Sequence, residues 1–186
     1  MVKEKAMKPR GPLMIEHRLI EKMLGITKKE LDLIKAKKVV NSLFIDTIVD
    51  FIRTYADRTH HGKEEDILFA ELERKKLDAG DTRLMKELVD EHVQARKVVG
   101  ELVEANRRYA GGDATGIGII SDRMAFLIDF YPRHIAKEDK VFFPNAERYF
   151  SSGELDAMLL AFYEFDKRMI HEKYERLYES LQKRYV

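Results

Sequence analysis

The chain contains no cysteine. That absence removes disulfides, thiolate nucleophiles, zinc fingers and thiolate-bound iron–sulfur clusters together, so any metal has to sit on imidazole and carboxylate. No apolar run approaches the roughly 18 residues of a membrane helix. The basic start, MVKEKAMKPR, is not followed by a continuous apolar segment of the signal-peptide kind either. A soluble, cytoplasmic chain is expected. Neither sign of charge dominates: 34 basic and 33 acidic residues are interspersed, for a net charge of +1, which gives no electrostatic case for binding nucleic acid or a membrane surface. Proline is scarce, with four residues, and the ten glycines stand mostly at segment ends.

What is present suits long amphipathic helices: 36% of residues are charged and 45% hydrophobic, in a chain of 186 residues that can bury one core without covalent staples. Pro12 fits a first helical turn, and Leu13, His17, Ile20 and Leu24 then share one face until Gly25, with TKKELDLIKAKK as a short continuation. A second helix is predicted from about Asn41 to Lys76 on the spacing of Phe44, Ile45, Ile48, Ile52, Tyr55, Ile67 and Leu68. Asp81 is the predicted N-cap of a third, which carries Leu84, Leu88, His92, Val99 and Leu102 and stops at Gly111. A fourth runs from Thr115 into the 140s and is expected to bend at Pro132. Ser151 and Glu154 form a capping-box pattern that opens a fifth, reaching about Lys183. The fold expected is all-α: an up-down four-helix bundle over 11–150, preceded by a basic tail (1–10) and followed by a C-terminal helix (151–186) packed on or extending from it.

Two stretches 74 residues apart share a pattern: HHGKEEDILFA from His60 and HIAKEDKVFFP from His134. His60 with Glu64, and His134 with Glu138, are four positions apart, so each pair stands on one helix face and reaches one point. The faces are apolar. His17 lies 43 residues before His60 and His92 lies 42 before His134, each preceded by Glu and each on an apolar stripe. The chain is thus two similar hairpins, each giving His, then His-x-x-x-Glu. A single histidine on an apolar stripe is ordinarily a hydrogen-bonded core residue. Four imidazoles and two carboxylates meeting inside a bundle would instead be costly without a charge to satisfy them. Two cations bridged by the carboxylates satisfy all six, and such donors suit iron or manganese, with zinc also accommodated.

The ordered set His17, His60-x-x-x-Glu64, His92, His134-x-x-x-Glu138 resembles the hemerythrin-like HHE cation-binding domain, over about residues 11 to 150. The resemblance implies a four-helix bundle around a non-haem di-iron site, oxo- or hydroxo-bridged, that binds O2, NO or peroxide. It assigns His17 and His60 to one iron, His92 and His134 to the other, and Glu64 and Glu138 as bridges. Oxygen-carrying hemerythrins have a further histidine one turn after the position of His92, where this chain has Arg96. In that respect it resembles bacterial four-His, two-Glu di-iron proteins linked to NO handling and iron–sulfur repair. Sensing, detoxification or repair, with a redox or iron–sulfur protein partner, is then favoured over O2 carriage. Iron storage or delivery, and a metal-stabilised interaction module docking through the fifth helix, are the alternatives.

Among the neighbours, His61 is expected to be an orienting or surface residue, because it lies about 100° around an α-helix from His60 and Ile135 is its counterpart. Glu65 and Asp139 are read as solvated or orienting charges, and Glu21 as an extra ligand or hydrogen-bond acceptor. Tyr55 and Tyr131 lie near the inward stripes, either packed in the core or donating to a bound ligand, and His171 is expected on the surface.

Overall fold

The computed structural model describes residues 8–182, with side chains described through residue 169. Five helices follow one another among these residues. α1 is Arg10–Lys37. α2 covers 42–73, made of Ser42–Phe51, two π-helical stretches, Ile52–His61 and Glu64–Phe69, and Ala70–Glu73. α3 is Ala79–Ala110. α4 covers 116–146, with Gly116–Lys137 followed by π-helical Glu138–Phe142 and Phe143–Ala146, and α5 is Ser152–Gln182. α1 packs on α2 and α4, and α3 packs on the same two, closing a four-helix ring; α5 lies on α2 outside it. No helix of the described residues is long and apolar enough to cross a membrane.

Several boundaries follow from named side chains. Asn41 accepts from the Phe44 N–H at 3.2 Å and caps α2. Ser151 and Glu154 form the reciprocal box, the Ser151 N–H donating to Glu154 Oε2 at 2.8 Å and the Glu154 N–H to Ser151 Oγ at 3.4 Å. Two expectations need correcting. α1 continues through TKKELDLIKAKK without an interruption at Gly25, because the buried stripe runs on through Thr27, Leu31 and Ile34; that burial outweighs the roughly 1 kcal/mol that glycine costs a helix interior. The N-cap of α3 is Asp78, whose side chain accepts from the Asp81 N–H at 2.8 Å. Asp81 is itself buried and accepts from Tyr149 Oη (2.6 Å), Arg148 (2.7 Å) and Asn145 (2.8 Å), tying the start of α3 to the end of α4. Pro132 sits inside the continuous Gly116–Lys137 helix. The basic tail expected over 1–10 falls mostly outside the described residues, and so does the side chain of His171.

The interior is divided into layers. One apolar cluster holds Ile20, Leu24, Ile48, Ile52, Val99, Leu102, Ile120, Met124 and Leu127; another holds Leu13, Leu68, Phe69, Leu72, Leu88, Phe142, Phe143, Met158 and Phe162. Along every bundle helix the polar residues fall between the two: His17 between Leu13 and Ile20, His60 and Glu64 between Ala56 and Leu68, His92 between Leu88 and Ala95, His134 and Glu138 between Tyr131 and Phe142. A layer of ionisable groups is thus closed above and below by hydrocarbon. α5 covers one wall of it. Its Phe165 lies so close to α2 that a Cβ on Gly62 would stand 2.7 Å from Phe165 Cζ, so any larger residue there requires the Phe165 ring to move.

Candidate metal centre

The histidines and glutamates of the two hairpins meet in this layer, and all six are buried. Each carboxylate spans two histidines from different helices. Glu138 Oε2 lies 3.2 Å from His17 Nε2 and its Oε1 lies 3.2 Å from His134 Nε2, while Glu64 has Oε1 at 3.5 Å from His60 Nε2 and Oε2 at 3.5 Å from His92 Nε2. The wider π-helical turns coincide with these residues, covering His60, Glu64 and Glu138. Such turns occur often where a helix has to aim a functional side chain.

The far nitrogen of each ring is fixed by an acid. His17 Nδ1 donates to Asp139 at 2.7 Å, His60 to Glu16 at 2.8 Å, His92 to Glu65 at 2.6 Å and His134 to Glu91 at 2.8 Å. A carboxylate can only accept, so each Nδ1 carries a proton and each Nε2 is left facing the centre. The four acids are sequence neighbours of the candidate ligands, and each holds a ring on another helix. Cations hold the acids in turn: Arg18 pairs with Asp139, Lys63 with Glu16, Arg96 with Glu65 (2.8 Å) and Lys137 with Glu91. Lys63 also reaches Asp166 on α5 at 2.7 Å. The orienting reading of Glu65 and Asp139 agrees with this geometry; the matching roles of Glu16 and Glu91 were not legible, although the Glu-His pairs were.

The centre is unsatisfied as it stands. His17 Nε2, His60 Nε2 and all four carboxylate oxygens of Glu64 and Glu138 are buried without a hydrogen-bond partner. His92 and His134 bring their Nε2 atoms within 3.2 Å of each other. Charge is apportioned awkwardly. Burial, then the charge of Glu138, pushes the Glu64 carboxyl well above the usual range. Glu138 is held well below it: burial opposes ionisation, but His134, His17 and His92 outweigh burial. Burial works against a charged His17, yet its hydrogen bond to Asp139 and the Glu138 carboxylate beside it raise it to about 9; His134 likewise is lifted against burial, by Glu138 and Glu91, to about 10. In His60 burial prevails and the value falls to about 4. Protons thus do imperfectly what divalent charge does well, and the donor set fits cations that prefer imidazole and carboxylate.

His61 departs from expectation. It is not at the surface: it is 2% exposed, stacked on His92 with ring centroids 3.8 Å apart and planes 11° apart. The 100° argument assumed α-helical turns, whereas this segment is π-helical and takes a smaller angular step per residue. One group of side chains with ligand atoms close enough to hold an ion is His17, His60, Glu64 and Glu138; the other is His61, His92 and His134. Glu21 stays out of the centre, partly exposed in an ion pair with Arg18 at 3.0 Å. Tyr55 stacks on Phe51 away from the ring of ligands, whereas Tyr131 is buried with its hydroxyl unpartnered. Tyr131 also lines a cavity of about 190 Å³ with Ile52, Asp57, His61, Arg96 and Val99.

A four-helix bundle whose middle layer gathers imidazoles and paired carboxylates is a cation-binding bundle by fold and chemistry. The sequence profile of the Hemerythrin HHE cation binding domain matches residues 12–146, and the chain belongs to that family. No curated protein and no solved structure gives a significant match to the chain.

Proposed function

We propose that this chain holds a carboxylate-bridged non-haem di-iron pair on His17, His60, Glu64, His92, His134 and Glu138, and that it binds or reacts with O2, NO or peroxide. The observation that carries the reading is the set of six buried, partnerless donor atoms on His17, His60, Glu64 and Glu138, set between two apolar layers with every ring pre-oriented by an acid. Orphaned groups of this kind cost several kcal/mol unless a cation completes them. Bound iron would supply one-electron redox chemistry and Lewis acidity. The chain's own residues fix the imidazoles through Nδ1, exclude bulk water with the Phe69, Phe142 and Phe143 layer, and leave the cavity beside His61 and Tyr131, roomy enough for a diatomic or a peroxide. Tyr131 Oη, buried and unpartnered, is suited to donate to such a guest.

Protein expressed with iron should carry about two irons per chain and absorb in the near ultraviolet when oxidised. Anaerobic addition of O2, NO and peroxide to the ferrous protein then separates the reactions. N2O release supports NO reduction, rapid peroxide decay supports a peroxidase-like role, and stable reversible O2 uptake points to carriage. A chain that retains iron but turns over none of them, and yields it to an acceptor, is a store or donor. A chain that takes up no transition ion overturns the proposal.

A further inference from the structure

We infer that His61 is a fifth imidazole donor of this centre, on the same cation as His92 and His134, so that the two cations are held unequally. The inference rests on the metal reading above and goes beyond its six ligands. Three observations converge on it. Ligand atoms of His61, His92 and His134 lie within 4.8 Å of one another. Donors about 2.1 Å from an ion stand about 3 Å apart when adjacent and about 4.2 Å apart when opposite, so the group lies near the spacing one ion requires, and the stacked His61 ring turns from His92 to meet it. Next, His61 repeats the arrangement of the other four rings: Nδ1 faces a carboxylate, Asp57 Oδ1, at 3.3 Å, which leaves Nε2 free as a donor. Last, the geometry assigns a task to Arg96. Its Nε donates to the same Asp57 oxygen at 2.7 Å while its other arm holds Glu65, so one guanidinium fixes the acids behind both His61 and His92. Arg96 is therefore a positioning residue for the imidazole that α2 provides. The counterpart of His61 in the second hairpin is Ile135, buried hydrocarbon, so the second hairpin provides no matching imidazole.

The consequence is an asymmetry. The cation of His61, His92 and His134 has a fuller set of protein donors than the one of His17 and His60. Mössbauer spectra of the 57Fe-loaded protein should contain two distinct doublets of equal area. In His61→Ala one doublet changes and the other stays, and the affinity for the corresponding iron falls. Loss of an orienting partner alone typically costs 10–100-fold, so loss of a direct donor should cost at least about tenfold. Free imidazole, admitted by the adjoining cavity, should restore both the doublet and the stoichiometry. Should His61→Ala fail to fold, Asp57→Asn provides the second measurement, with a smaller change confined to the same doublet. Wild-type protein with one doublet of equivalent irons, or His61→Ala with two irons and unchanged spectra, overturns the inference while leaving the six-ligand centre standing; that second result would make His61 a hydrogen-bonding wall of the cavity. Wild-type protein that binds no iron overturns the underlying reading instead.

Discussion

Glu64 and Glu138 are two acids facing one buried space, and their surroundings push them apart: burial and the charge of Glu138 raise the Glu64 carboxyl, while the facing imidazoles hold Glu138 down. The direction of the Glu64 shift favours its neutral form in the cation-free protein. Glu64→Gln places a neutral amide of the same shape there, so the melting temperature of the cation-free form should move by the equivalent of about 1 kcal/mol or less. Breaking a buried ion pair would instead cost about 3–5 kcal/mol, and a loss of that size in chemical denaturation would mean that Glu64 is charged before any cation arrives. The same variant should lose at least about tenfold in iron affinity. Glu65→Gln tests the outer acids: it leaves every proposed ligand in place but unties the His92 ring, and iron affinity by competitive chelation should fall about 10–100-fold. At this scale the sequence was informative wherever its cue was a spacing. The i,i+4 pairs and the apolar stripes bring His17, His60, Glu64, His92, His134 and Glu138 together in the fold as expected. Glu16 and Glu91 escaped because each acts on a ring of a different helix, a relation that no local pattern encodes. The burial of His61 escaped because the backbone beneath it winds with a different period from the one assumed.

The helices show the same division between local and distant causes. The start of α2 near Asn41, the end of α3 at Gly111 and the Ser151–Glu154 box are short-range chemistry and were legible. The run of α1 past Gly25 and the shift of the α3 cap to Asp78 were decided by burial against other helices, which sequence spacing does not report. The box at α5 makes a pH prediction. Lys75, then the Ser151 N–H and hydroxyl, hold the Glu154 carboxyl down from 4.5 to about 2. Because the folded value lies below the unfolded one, its contribution is fully present above about pH 4.5 and is lost as pH falls toward 2. Wild type should therefore melt above Glu154→Gln at pH 6, and the gap should narrow progressively below pH 4.5 in paired thermal scans; a gap that is constant with pH would remove Glu154 from the cap. Farther along α5, the contact at Gly62 is unforgiving. Gly62→Ala sets a methyl against the Phe165 ring and should destabilise by about 1–3 kcal/mol in denaturant titration, with Phe165→Leu in the same chain recovering part of the loss.

For the molecule as a whole, stability and cation occupancy are one quantity. The bundle is closed at both ends by apolar clusters, and its middle layer keeps six ligand atoms of His17, His60, Glu64 and Glu138 without hydrogen-bond partners among the described residues, so a cation favours the folded state and the unfolded chain has no comparable site. Mass action then adds RT ln(1 + [L]/Kd) to the unfolding free energy, about 4 kcal/mol when free metal exceeds the dissociation constant 1,000-fold. For a chain of this length each kcal/mol shifts the midpoint by about 2–4 °C, so iron or manganese should raise Tm by on the order of 10 °C, and a chelator should remove the whole increment. The increment should be absent from a variant carrying both Glu64→Gln and Glu138→Gln. It should survive Glu154→Gln, which lies outside the layer, and this contrast separates binding at the centre from loose association with the many surface acids. A rise of equal size in the double variant would place the cation elsewhere and detach the centre from the stability of the fold. A rise confined to the wild-type layer would make the unsatisfied middle of this bundle the reason that its folded state waits on a metal.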